Sequence, residues 1–345
     1  MKKAAIIIVN WNGKKFLKNC LGSVFKQTYK NFKVYFIDNG STDNSSDYVR
    51  KNYPEVEIVQ LDKNYGFAEG NNMGIRQALK DLDVEYVVTI NNDTELKTDF
   101  LKNIIKCANQ NKKVGSVAPK IKFYYDKKII DSVGILIHQD GSGINRGFKE
   151  FDKGQYNKNQ EIFGVCAGAC LYKRNMLEDI KEKDDYFDPD FFAYYEDLDL
   201  AWRARLRGWK SISCPRAVIY HIHSATSKSY SQFKAYHVNR NKFFVIIKNF
   251  PKKFLIKALL LTPIRYLKLI NSIIQKKGPS YKLKEKTNFF TPFVIVFKGW
   301  IDVLIKTPKM LNKRRNIQGN KTVKNNDIKR WFEVYRAKIE DMIYK

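Results

Sequence analysis

Several features that mark common classes of protein are missing from this chain of 345 residues. It contains no uninterrupted apolar run of the ~18 residues that a transmembrane helix requires, so a membrane-spanning protein is not expected. The apolar run near the N-terminus covers only residues 4–9, which is too short for a signal peptide and predicts a buried first strand. Internal repeats and low-complexity tracts are also missing.

Cysteine is scarce, and no two of the five cysteines follow the C-x2-C pattern of a zinc site. Since their number is odd as well, we expect reduced thiols in a cytosolic compartment. The five residues are Cys20, Cys107, Cys166, Cys170 and Cys214.

Acidic residues are scarce in the C-terminal third of the chain. Residues 225–345 contain 28 Lys and Arg but only 6 Asp and Glu, which gives +22 of the total net charge of +28. Residues 1–224 are nearly balanced, with 35 basic and 29 acidic residues. This asymmetry indicates an anionic partner, either nucleic acid or an anionic membrane surface. Hydrophobic residues make up 44% of the chain, which is enough for a core and excludes disorder as the main state.

The first 120 residues alternate between patterns typical of strands and of helices. Strands are predicted at residues 4–9, 34–37, 57–61 and 86–90, and helices at 14–27, 45–52 and 70–82. This order predicts an α/β fold in which a mostly parallel sheet carries helices on both faces. In such a sheet, ligands bind at the carboxyl ends of the strands.

The rest of the chain is less regular. Residues 121–165 carry several glycines and are predicted to be rich in loops or short strands. The C-terminal third is helical, basic and aromatic in pattern. Residues 254–274 and 289–305 predict amphipathic helices, with Pro263 and Pro292 as kinks or breaks.

Polar clusters follow three of the predicted strands. They are N-W-N at 10–12, D-N-G-S-T-D at 38–43 and N-N-D at 91–93. The carboxylate of Asp38 is placed to accept a hydrogen bond from a nucleobase, although a turn with a helix cap is the simpler interpretation of this motif alone. The carboxylate of Asp93 is placed to bind a hard divalent ion together with phosphate oxygens, although such a residue usually caps a turn.

Glycines recur four residues apart in N-Y-G-F-A-E-G-N-N-M-G at 64–74, a loop that enters a helix. Backbone N–H groups at such a helix start can bind a diphosphate. The spacing of Gly66, Gly70 and Gly74 is not the G-x-G-x-x-G pattern, and it also fits close packing of the helix. The sequence leaves both interpretations open.

The densest cluster of acids and aromatics lies near the middle of the chain. Glu196, Asp197 and Asp199 begin a predicted helix that ends at Gly208. Acids in a first helical turn interact favourably with the helix dipole, which is the simpler interpretation. Three acids behind the aromatic run 191–195 exceed what capping requires, so one of them is a candidate general base beside an aromatic sugar platform. Asp199 is expected to face elsewhere and to organise the helix.

His221 and His223 lie at the end of a predicted strand that contains the apolar segment 217–220. Alternate residues of a strand point to the same side, so the two imidazoles are expected on one face. A histidine in this position is usually structural, but imidazole is also a good ligand for Mn²⁺ or Zn²⁺. One of the two is therefore a candidate to complete a metal site with Asp93.

In this order and spacing, six motifs resemble the family 2 inverting glycosyltransferases of the GT-A fold, and in particular their rhamnosyltransferase-like branch. The motifs are I-V-N-W-N-G, D-N-G-S-T-D, N-Y-G-F-A-E-G-N-N-M-G, N-N-D-T, G-A-C-L-Y-K-R and F-F-A-Y-Y-E-D-L-D-L-A-W-R-A-R-L-R-G-W, within residues 1–250. The resemblance implies a GT-A, Rossmann-like α/β catalytic domain over residues 1–224. Residues 225–345 would then be a helical, basic extension.

The resemblance implies a role for each motif residue. The donor nucleotide would be bound by Asn10, Asp38, Asp43, Asn64, Asn91 and Asn92. Asn10 and Asp38 would contact the uracil or thymine and its ribose. Asp93 and His221 would hold a divalent cofactor, Mg²⁺ or Mn²⁺, that bridges the donor diphosphate. Asn91 stands where the family has the first carboxylate of D-x-D, so fewer charges would hold the ion.

Asp197 matches the second acid of the family's E-D pair and would be the catalytic base. It would take the proton of an acceptor hydroxyl as this attacks the anomeric carbon, in a single displacement that inverts the centre. Trp11, Tyr195 and Glu196 would support the acceptor side. No covalent nucleophile is required, and the sequence shows no convincing Ser/His/Asp or Cys/His set.

The branch favours dTDP-L-rhamnose as the donor, with a UDP-sugar as the alternative. The acceptor would be a glycan or lipid-linked glycan of cell-surface polysaccharide biosynthesis. Basic and apolar residues alternate in 254–268 and 289–300, as in helices that lie in a lipid interface. We therefore expect a cytoplasmic protein bound peripherally to the inner face of the cell membrane. Alternatively, these helices pack on the catalytic domain or on a second subunit, which leaves a homo-oligomer open.

Two other functions compete with sugar transfer. A nucleotidyltransferase shares the nucleotide-binding sheet, but it has no use for a base such as Asp197 beside an acceptor-sugar pocket. A nucleic-acid-binding protein would explain the charge of residues 225–345, but the basic residues there lie among long aliphatic runs rather than in a polar groove. We therefore expect no nucleic acid partner.

Overall fold

The computed structural model describes residues 2–222, 231–288 and 290–344. The strands are β1 (Lys3–Asn10), β2 (Phe32–Asp38), β3 (Glu57–Gln60), β4 (Val84–Asn91), β5 (Thr94–Leu96), β6 (Val114–Phe123), β7 (Ile130–Ser132), β8 (Ile135–Ile137), β9 (Gly143–Asn145), β10 (Glu161–Ile162), β11 (Ala169–Lys173) and β12 (Lys210–His221). The helices are α1 (Lys14–Phe25), α2 (Ser45–Asn52), α3 (Gly66–Ala78), α4 (Phe100–Ala108), α5 (Arg174–Ile180), α6 (Glu196–Leu206), α7 (Gln232–Asn249), α8 (Lys252–Ile274), α9 (Gly278–Lys286), α10 (Thr291–Gly319), α11 (Asn325–Val334) and α12 (Ile339–Tyr344). One turn of 3₁₀ helix, Pro189–Phe191, precedes α6.

Among the described residues, ten strands form a mixed sheet in the order β10-β12-β6-β11-β4-β1-β2-β3, with β5 beside β12 and β7 beside β6. β1 runs parallel to both of its neighbours, β2 and β4. The register sets Asn10 opposite Asp38 and Val9 opposite Asn91. The three polar clusters that follow these strands therefore meet at one edge of the sheet.

The two faces of β1 are covered by different helices, which explains why its interior positions are all apolar. Ile6 and Ile8 pack in a core cluster that includes residues of α1 and α4. Ile7 belongs to a second cluster that includes residues of α3 and α5. Gly74 lets α3 approach this strand closely, because a Cβ at that position would lie 2.6 Å from Ile7 Cγ2.

Most predicted elements are confirmed, with small shifts at their boundaries. The helix predicted at 70–82 instead spans Gly66–Ala78, because the Asn64 side chain accepts the Gly66 N–H and starts the helix one turn earlier. The region 121–165 contains short strands, as expected, from the end of β6 to β10.

Proline has two different positions in the long C-terminal helices. Pro263 lies inside α8. Pro292 lies in the first turn of α10, where a proline costs no helical hydrogen bond. α10 extends to Gly319, far beyond the predicted end at residue 305.

The C-terminal helices differ in how much of their surface is covered. α7 buries most of its second half, whereas α8 buries only Ala258, Thr262 and Ser272 of its 23 residues. Within the described parts of the chain, no single helix is long and apolar enough to cross a bilayer. α9 and α10 reach that length and composition only as a pair that is bent by 109°.

The cysteines correct the expectation that all five thiols are reduced. Cys107 of α4 and Cys214 of β12 form a disulfide, with 6.2 Å between their Cα atoms. They are 107 residues apart in the sequence, and only the packing of α4 against β12 brings them together. Cys20, Cys166 and Cys170 are free thiols.

Candidate active site

The first two predicted donor residues are buried at the sheet edge and hydrogen-bonded to their own loops. Asn10 Nδ2 donates to Ser41 Oγ at 3.1 Å, and Asn10 Oδ1 accepts from Asn92 Nδ2 at 2.7 Å. Asp38 Oδ1 accepts the Ser41 N–H at 2.9 Å, and its second oxygen accepts the Ser46 hydroxyl. These bonds confirm the turn in the D-N-G-S-T-D motif, whereas the N-cap residue of α2 is Asn44, whose side chain makes no cap bond. A contact between these residues and a nucleobase stays a prediction.

Asp43 joins two helix starts. Its Oδ2 accepts the Lys14 N–H at 2.9 Å, and its Oδ1 accepts the Ser45 N–H at 3.1 Å. These are the first residues of α1 and α2, whose N–H groups lack partners inside the helix. Asp43 therefore shapes the donor edge, whether or not it also contacts the donor.

Asn39 organises the neighbouring loop and was missed by the sequence analysis. It is 2% exposed, and its Nδ2 donates to Asn64 Oδ1 at 3.1 Å and to the Gly66 carbonyl at 3.0 Å. Its Oδ1 accepts the Tyr65 N–H at 2.9 Å. The only sequence signal was its place inside the D-N-G-S-T-D motif. Asn39 therefore holds the side chain of the predicted donor residue Asn64 in place through this hydrogen bond.

The start of α3 is occupied by protein groups. The Gly66 N–H donates to Asn64 Oδ1 at 2.8 Å, and the Ala68 N–H donates to the Phe192 carbonyl at 3.1 Å. Of the two interpretations that the sequence left open, these bonds favour close packing, because both N–H groups have partners within the protein. Gly66, with φ of 87°, instead allows close packing, because a Cβ there would lie 2.5 Å from the Phe192 carbonyl oxygen.

Asp93 and His221 lie together, as the resemblance implies. β5 and β12 pair antiparallel, and the Ile222 N–H donates to the Asp93 carbonyl at 3.1 Å. Asp93 Oδ1 lies 3.3 Å from His221 Nε2 and accepts no hydrogen bond from the residues described. Asn91 Nδ2 lies 3.4 Å from the same imidazole nitrogen. His223 lies outside the described residues.

Asp131 is a second site residue that the sequence analysis missed. It is 2% exposed on β7, and its Oδ2 lies 2.6 Å from His221 Nδ1. A carboxylate that binds one imidazole nitrogen orients the other one towards a metal. Burial alone lowers the pKa of His221, but the charges of Asp93 and Asp131 outweigh it and raise the pKa to about 10. The sequence signal was a single acid inside the apolar stretch that forms β7.

The residues present fit a divalent metal ion with few protein ligands. A buried carboxylate oxygen without a hydrogen bond faces an imidazole nitrogen, and both are ligand types that Mn²⁺ and Mg²⁺ sites use. Within the described ranges, no three His, Cys, Asp or Glu side chains are arranged to hold a metal. The remaining coordination positions would therefore fall to phosphate oxygens and water.

Asp197 lies at the start of α6 and is half-buried. Its Oδ2 accepts the Ala167 N–H at 3.3 Å, and its Oδ1 accepts the Leu198 N–H at 2.7 Å. Burial raises the pKa of this carboxyl group above its ordinary value, and the backbone N–H groups only partly offset that effect. A carboxylate with a raised pKa and no cationic partner among these contacts is suited to accept a proton.

A short segment before β11 joins the base to the metal side. Ala167 donates to Asp197, and the carbonyl of the next residue, Gly168, accepts the Asn91 N–H at 2.8 Å. Burial raises the pKa of the neighbouring Cys166 thiol, and the charges of Asp197 and Asp131 add to this rise. This segment therefore contacts the candidate base on one side and, on the other, the strand that leads to Asp93.

The other two acids of α6 have separate roles. Glu196 is 5% exposed, and its Oε2 has no hydrogen-bond partner among the described residues. Burial, and then the charge of Asp197, raises the pKa of Glu196 well above its ordinary value. Asp199 is fully buried and binds Arg203 and Lys248, which confirms that it organises the helix.

The two predicted aromatic residues of the acceptor side differ in exposure. Trp11 is 43% exposed beside the donor loops. Tyr195 is half-buried, and its hydroxyl accepts the Gly143 N–H at 3.4 Å. Only Trp11 therefore offers a wide apolar face to solvent.

The mixed sheet, the polar edge at β1, β2 and β4, and the acid at the start of α6 define the GT-A fold of nucleotide-sugar transferases. The sequence model of the family "Glycosyl transferase family 2" matches residues 5–181, half of the chain. The chain belongs to this family and is a glycosyltransferase.

Known relatives are distant. The chain is 24% identical over 246 residues to a low-salt glycan biosynthesis hexosyltransferase of Haloferax volcanii, covering 69% of this chain and 74% of the relative. It is 23% identical over 252 residues to an N-acetylglucosaminyl-diphospho-decaprenol L-rhamnosyltransferase of Mycobacterium tuberculosis, covering 67% and 80%. It is 24% identical to a poly-beta-1,6-N-acetyl-D-glucosamine synthase of Staphylococcus epidermidis, but it spans only 49% of that relative.

A solved structure shows the same fold over nearly the whole chain. It is a mannosyltransferase from Pyrobaculum calidifontis in complex with GDP-Man and Mn²⁺, 17% identical, with a TM-score of 0.53. The match covers 92% of this chain and 86% of the mannosyltransferase. The likeness therefore extends beyond the family match into the C-terminal helices.

Proposed function

We propose that this glycosyltransferase moves a sugar from a nucleoside diphosphate to a hydroxyl group of a glycan, with inversion of the anomeric centre. The observation that carries the proposal is Asp197, a half-buried carboxylate held by two backbone N–H groups. One of them belongs to Ala167, whose neighbour Gly168 bonds to Asn91, two residues before Asp93. Asp197 accepts the proton of the attacking hydroxyl, and its raised pKa strengthens it as a base. A direct displacement of this kind needs no covalent intermediate.

Asp93 and His221 are the residues that would hold a divalent metal, Mg²⁺ or Mn²⁺. A bound ion supplies positive charge that stabilises the leaving diphosphate. Asp131 fixes the ring of His221 so that Nε2 faces Asp93. Asn91 adds no charge to this pair, so affinity for the ion depends on the phosphates that bind with it.

The donor we favour is dTDP-L-rhamnose. The mycobacterial relative is a rhamnosyltransferase, which supports this choice, and the order of the motifs points to the same branch. A UDP-sugar is the alternative. One relative is a hexosyltransferase of glycan biosynthesis and the other acts on a lipid-linked sugar, which supports a role in cell-surface polysaccharide biosynthesis.

The donor is tested by thermal unfolding of the full chain with dTDP, UDP and GDP, each with and without Mn²⁺ or Mg²⁺. A ligand at about 100 times its Kd stabilises the fold by roughly 2.7 kcal/mol. We expect dTDP to stabilise the protein only when metal is present. Asp93→Asn should abolish this stabilisation. If UDP stabilises the protein and dTDP does not, the donor is a UDP-sugar rather than dTDP-L-rhamnose. No stabilisation by any pair would contradict the proposal.

A lipid-linked acceptor and a peripheral position on an anionic membrane are further parts of the proposal. α8 exposes an apolar stripe that contains Leu260, Leu267 and Ile274, which are 66% to 72% exposed. α10 exposes Phe297, Leu304 and Ile305 in the same way. Lys and Arg lie among these residues, so the two helices combine apolar contact with charge that suits anionic headgroups.

Co-sedimentation with vesicles tests the membrane contact. We expect the protein to pellet with vesicles rich in phosphatidylglycerol and to be released by the pair of substitutions Leu260→Glu and Leu267→Glu. Leu82→Glu is the matched control, because Leu82 is 84% exposed on the other part of the chain. Unchanged pelleting of the double variant would contradict the contact. Conversion of a dimer to a monomer by the same variant would assign the stripe to a second subunit.

A further inference from the structure

The loop that precedes the candidate base has an unfavourable backbone. Phe192, Tyr194 and Tyr195 have φ of 64°, 68° and 71°, in the region that side chains other than glycine rarely adopt. Such a conformation is unfavourable and persists only when the surrounding structure imposes it. Glu196 and Asp197 follow directly, so whatever holds this loop also places the base.

Asn241 of α7 holds the carbonyl groups of this loop. Its side chain is fully buried, and Nδ2 lies 2.9, 2.9 and 2.7 Å from the carbonyl oxygens of Phe191, Ala193 and Tyr194. An amide nitrogen carries two hydrogens and no charge, so it serves several carbonyls at once without a buried ion. Asn241 Oδ1 accepts from Arg240 Nε at 2.9 Å, which fixes the orientation of the amide.

Arg240 adds a second attachment from the same helix. Its Nη2 donates to the carbonyls of Asp190 and Phe191 at 2.9 and 3.0 Å. Its Nη1 donates to Asp302 of α10 at 2.9 Å. The C-terminal helices are thus connected to the loop by a chain of charged hydrogen bonds.

The end of α7 grips both flanks of the same segment. Lys248 Nζ lies 2.5 Å from Asp188 Oδ2 and 2.9 Å from Asp199 Oδ1, and all three side chains are buried. Asn249 Nδ2 donates to the same Asp199 oxygen at 2.8 Å. α7 therefore contacts the segment 188–199 on both sides of the base, at 188–194 and at Asp199.

We propose that α7 is a clamp for the base-bearing loop and that Asn241 is a positioning residue for Asp197. This proposal rests on the proposed function only in treating Asp197 as the base. Asn241 does not touch the reacting atoms. It imposes the strained turn at 192–195, and the turn directs the first residues of α6 into the site. The basic C-terminal region is accordingly part of the catalytic apparatus as well as a surface for partners.

The test is the isosteric pair Asn241→Asp and Asn239→Asp in the full chain. Asp at position 241 sets carboxylate oxygens against three carbonyl oxygens and removes the donors. Asn239 is the control, because it lies on the same helix and bonds to Tyr266 and to the Val296 carbonyl, away from the loop. The readouts are amide hydrogen exchange of residues 190–200 and the separate values of kcat and donor KM.

We expect Asn241→Asp to speed exchange at 192–198 and to lower kcat about 100-fold, the scale of a displacement of about 1 Å, while donor KM stays unchanged. Asn239→Asp should change neither readout. Unaltered exchange at 192–198, or equal losses in both variants, would overturn the clamp. If Asn241→Asp does not fold, Asn241→Ser keeps one donor and should give a smaller change of the same kind. If exchange is faster in Asn241→Asp than in the wild type, but the wild type transfers no sugar, the clamp stands and the proposed function is rejected.

Discussion

The donor edge differs from the part of the site that contains the acids Asp93, Glu196 and Asp197, which we call the acid side. The two regions differ in whether their buried polar groups are hydrogen-bonded. At the donor edge, Asn10, Asp38 and Asn39 are buried and bonded to neighbouring loops. On the acid side, Asp93 Oδ1 and Glu196 Oε2 have no hydrogen-bond partner among the described residues. Asp93 Oδ1 faces the His221 imidazole, 3.3 Å from Nε2. Buried carboxylate oxygens without a hydrogen bond cost stability, so they persist where function requires them. The comparison teaches that the donor edge is built for shape and the acid side for chemistry.

The strongest test of this contrast is Asp197→Asn. Loss of the base should lower kcat by roughly 10²–10⁴-fold. Nucleotide binding should stay nearly intact. The free energy of unfolding should fall by only about 1 kcal/mol, because the amide keeps one of the two backbone N–H bonds and removes a buried charge. Steady-state kinetics, nucleotide titration and thermal unfolding measure the three quantities. Asp199→Asn is the control, since it breaks a buried ion-pair network and should destabilise the fold by about 3–5 kcal/mol. Loss of nucleotide binding in Asp197→Asn would reject its role as base.

Asp131→Asn probes the group that orients His221. We expect affinity for Mn²⁺, measured by titration in the presence of nucleotide, to fall about 10–100-fold. The free energy of unfolding should fall as well, because His221 loses a buried carboxylate partner. Asp126→Asn is the matched control, because Asp126 is exposed and its Oδ1 only accepts the Lys128 N–H. Equal Mn²⁺ affinity in both variants would show that the imidazole needs no carboxylate support.

Asp38→Asn should do the reverse of Asp197→Asn. It weakens the bonds to Ser41 and Ser46, so the free energy of unfolding should fall by about 1–3 kcal/mol, as measured by urea denaturation. Nucleotide affinity per folded molecule should change less than stability. A variant with full stability but weak nucleotide binding would contradict this expectation and favour a direct contact between Asp38 and the nucleobase.

The smallest effect concerns pH. Asp197 must be ionised to accept a proton, and burial raises its pKa above the ordinary 3.8. Activity is therefore lost as pH falls through that raised pKa, and the acid limb of kcat should have its midpoint above 3.8, with about a tenfold loss per pH unit below it. A midpoint at or below 3.8 would show that the carboxylate is better solvated than the structure has it. Asn241→Asp should shift the limb, whereas Asn239→Asp should not.

Local patterns carried most of the fold and part of the site. The apolar runs of β1, β2 and β4 predicted a parallel sheet, since a strand covered on both faces has no polar alternation. The helix at Ser45–Asn52 was predicted at its observed bounds. Ligand chemistry suggested that Asp93 shares a metal site with His221 or His223, and the resemblance selected His221. Spacing contributed nothing, because Asp93 and His221 lie 128 positions apart along the chain.

The sequence by itself determined the α/β order, the family and the acids at the ends of strands and helices, because these depend on composition and period along the chain. Only the tertiary structure decided which polar groups are paired. Asp131 meets His221 across 90 residues, and Asn241 reaches the Ala193 carbonyl across 48. The Cys107–Cys214 disulfide spans 107 residues. Such contacts depend on which surfaces the folded sheet and helices bring together, and no local preference of the chain encodes that distance.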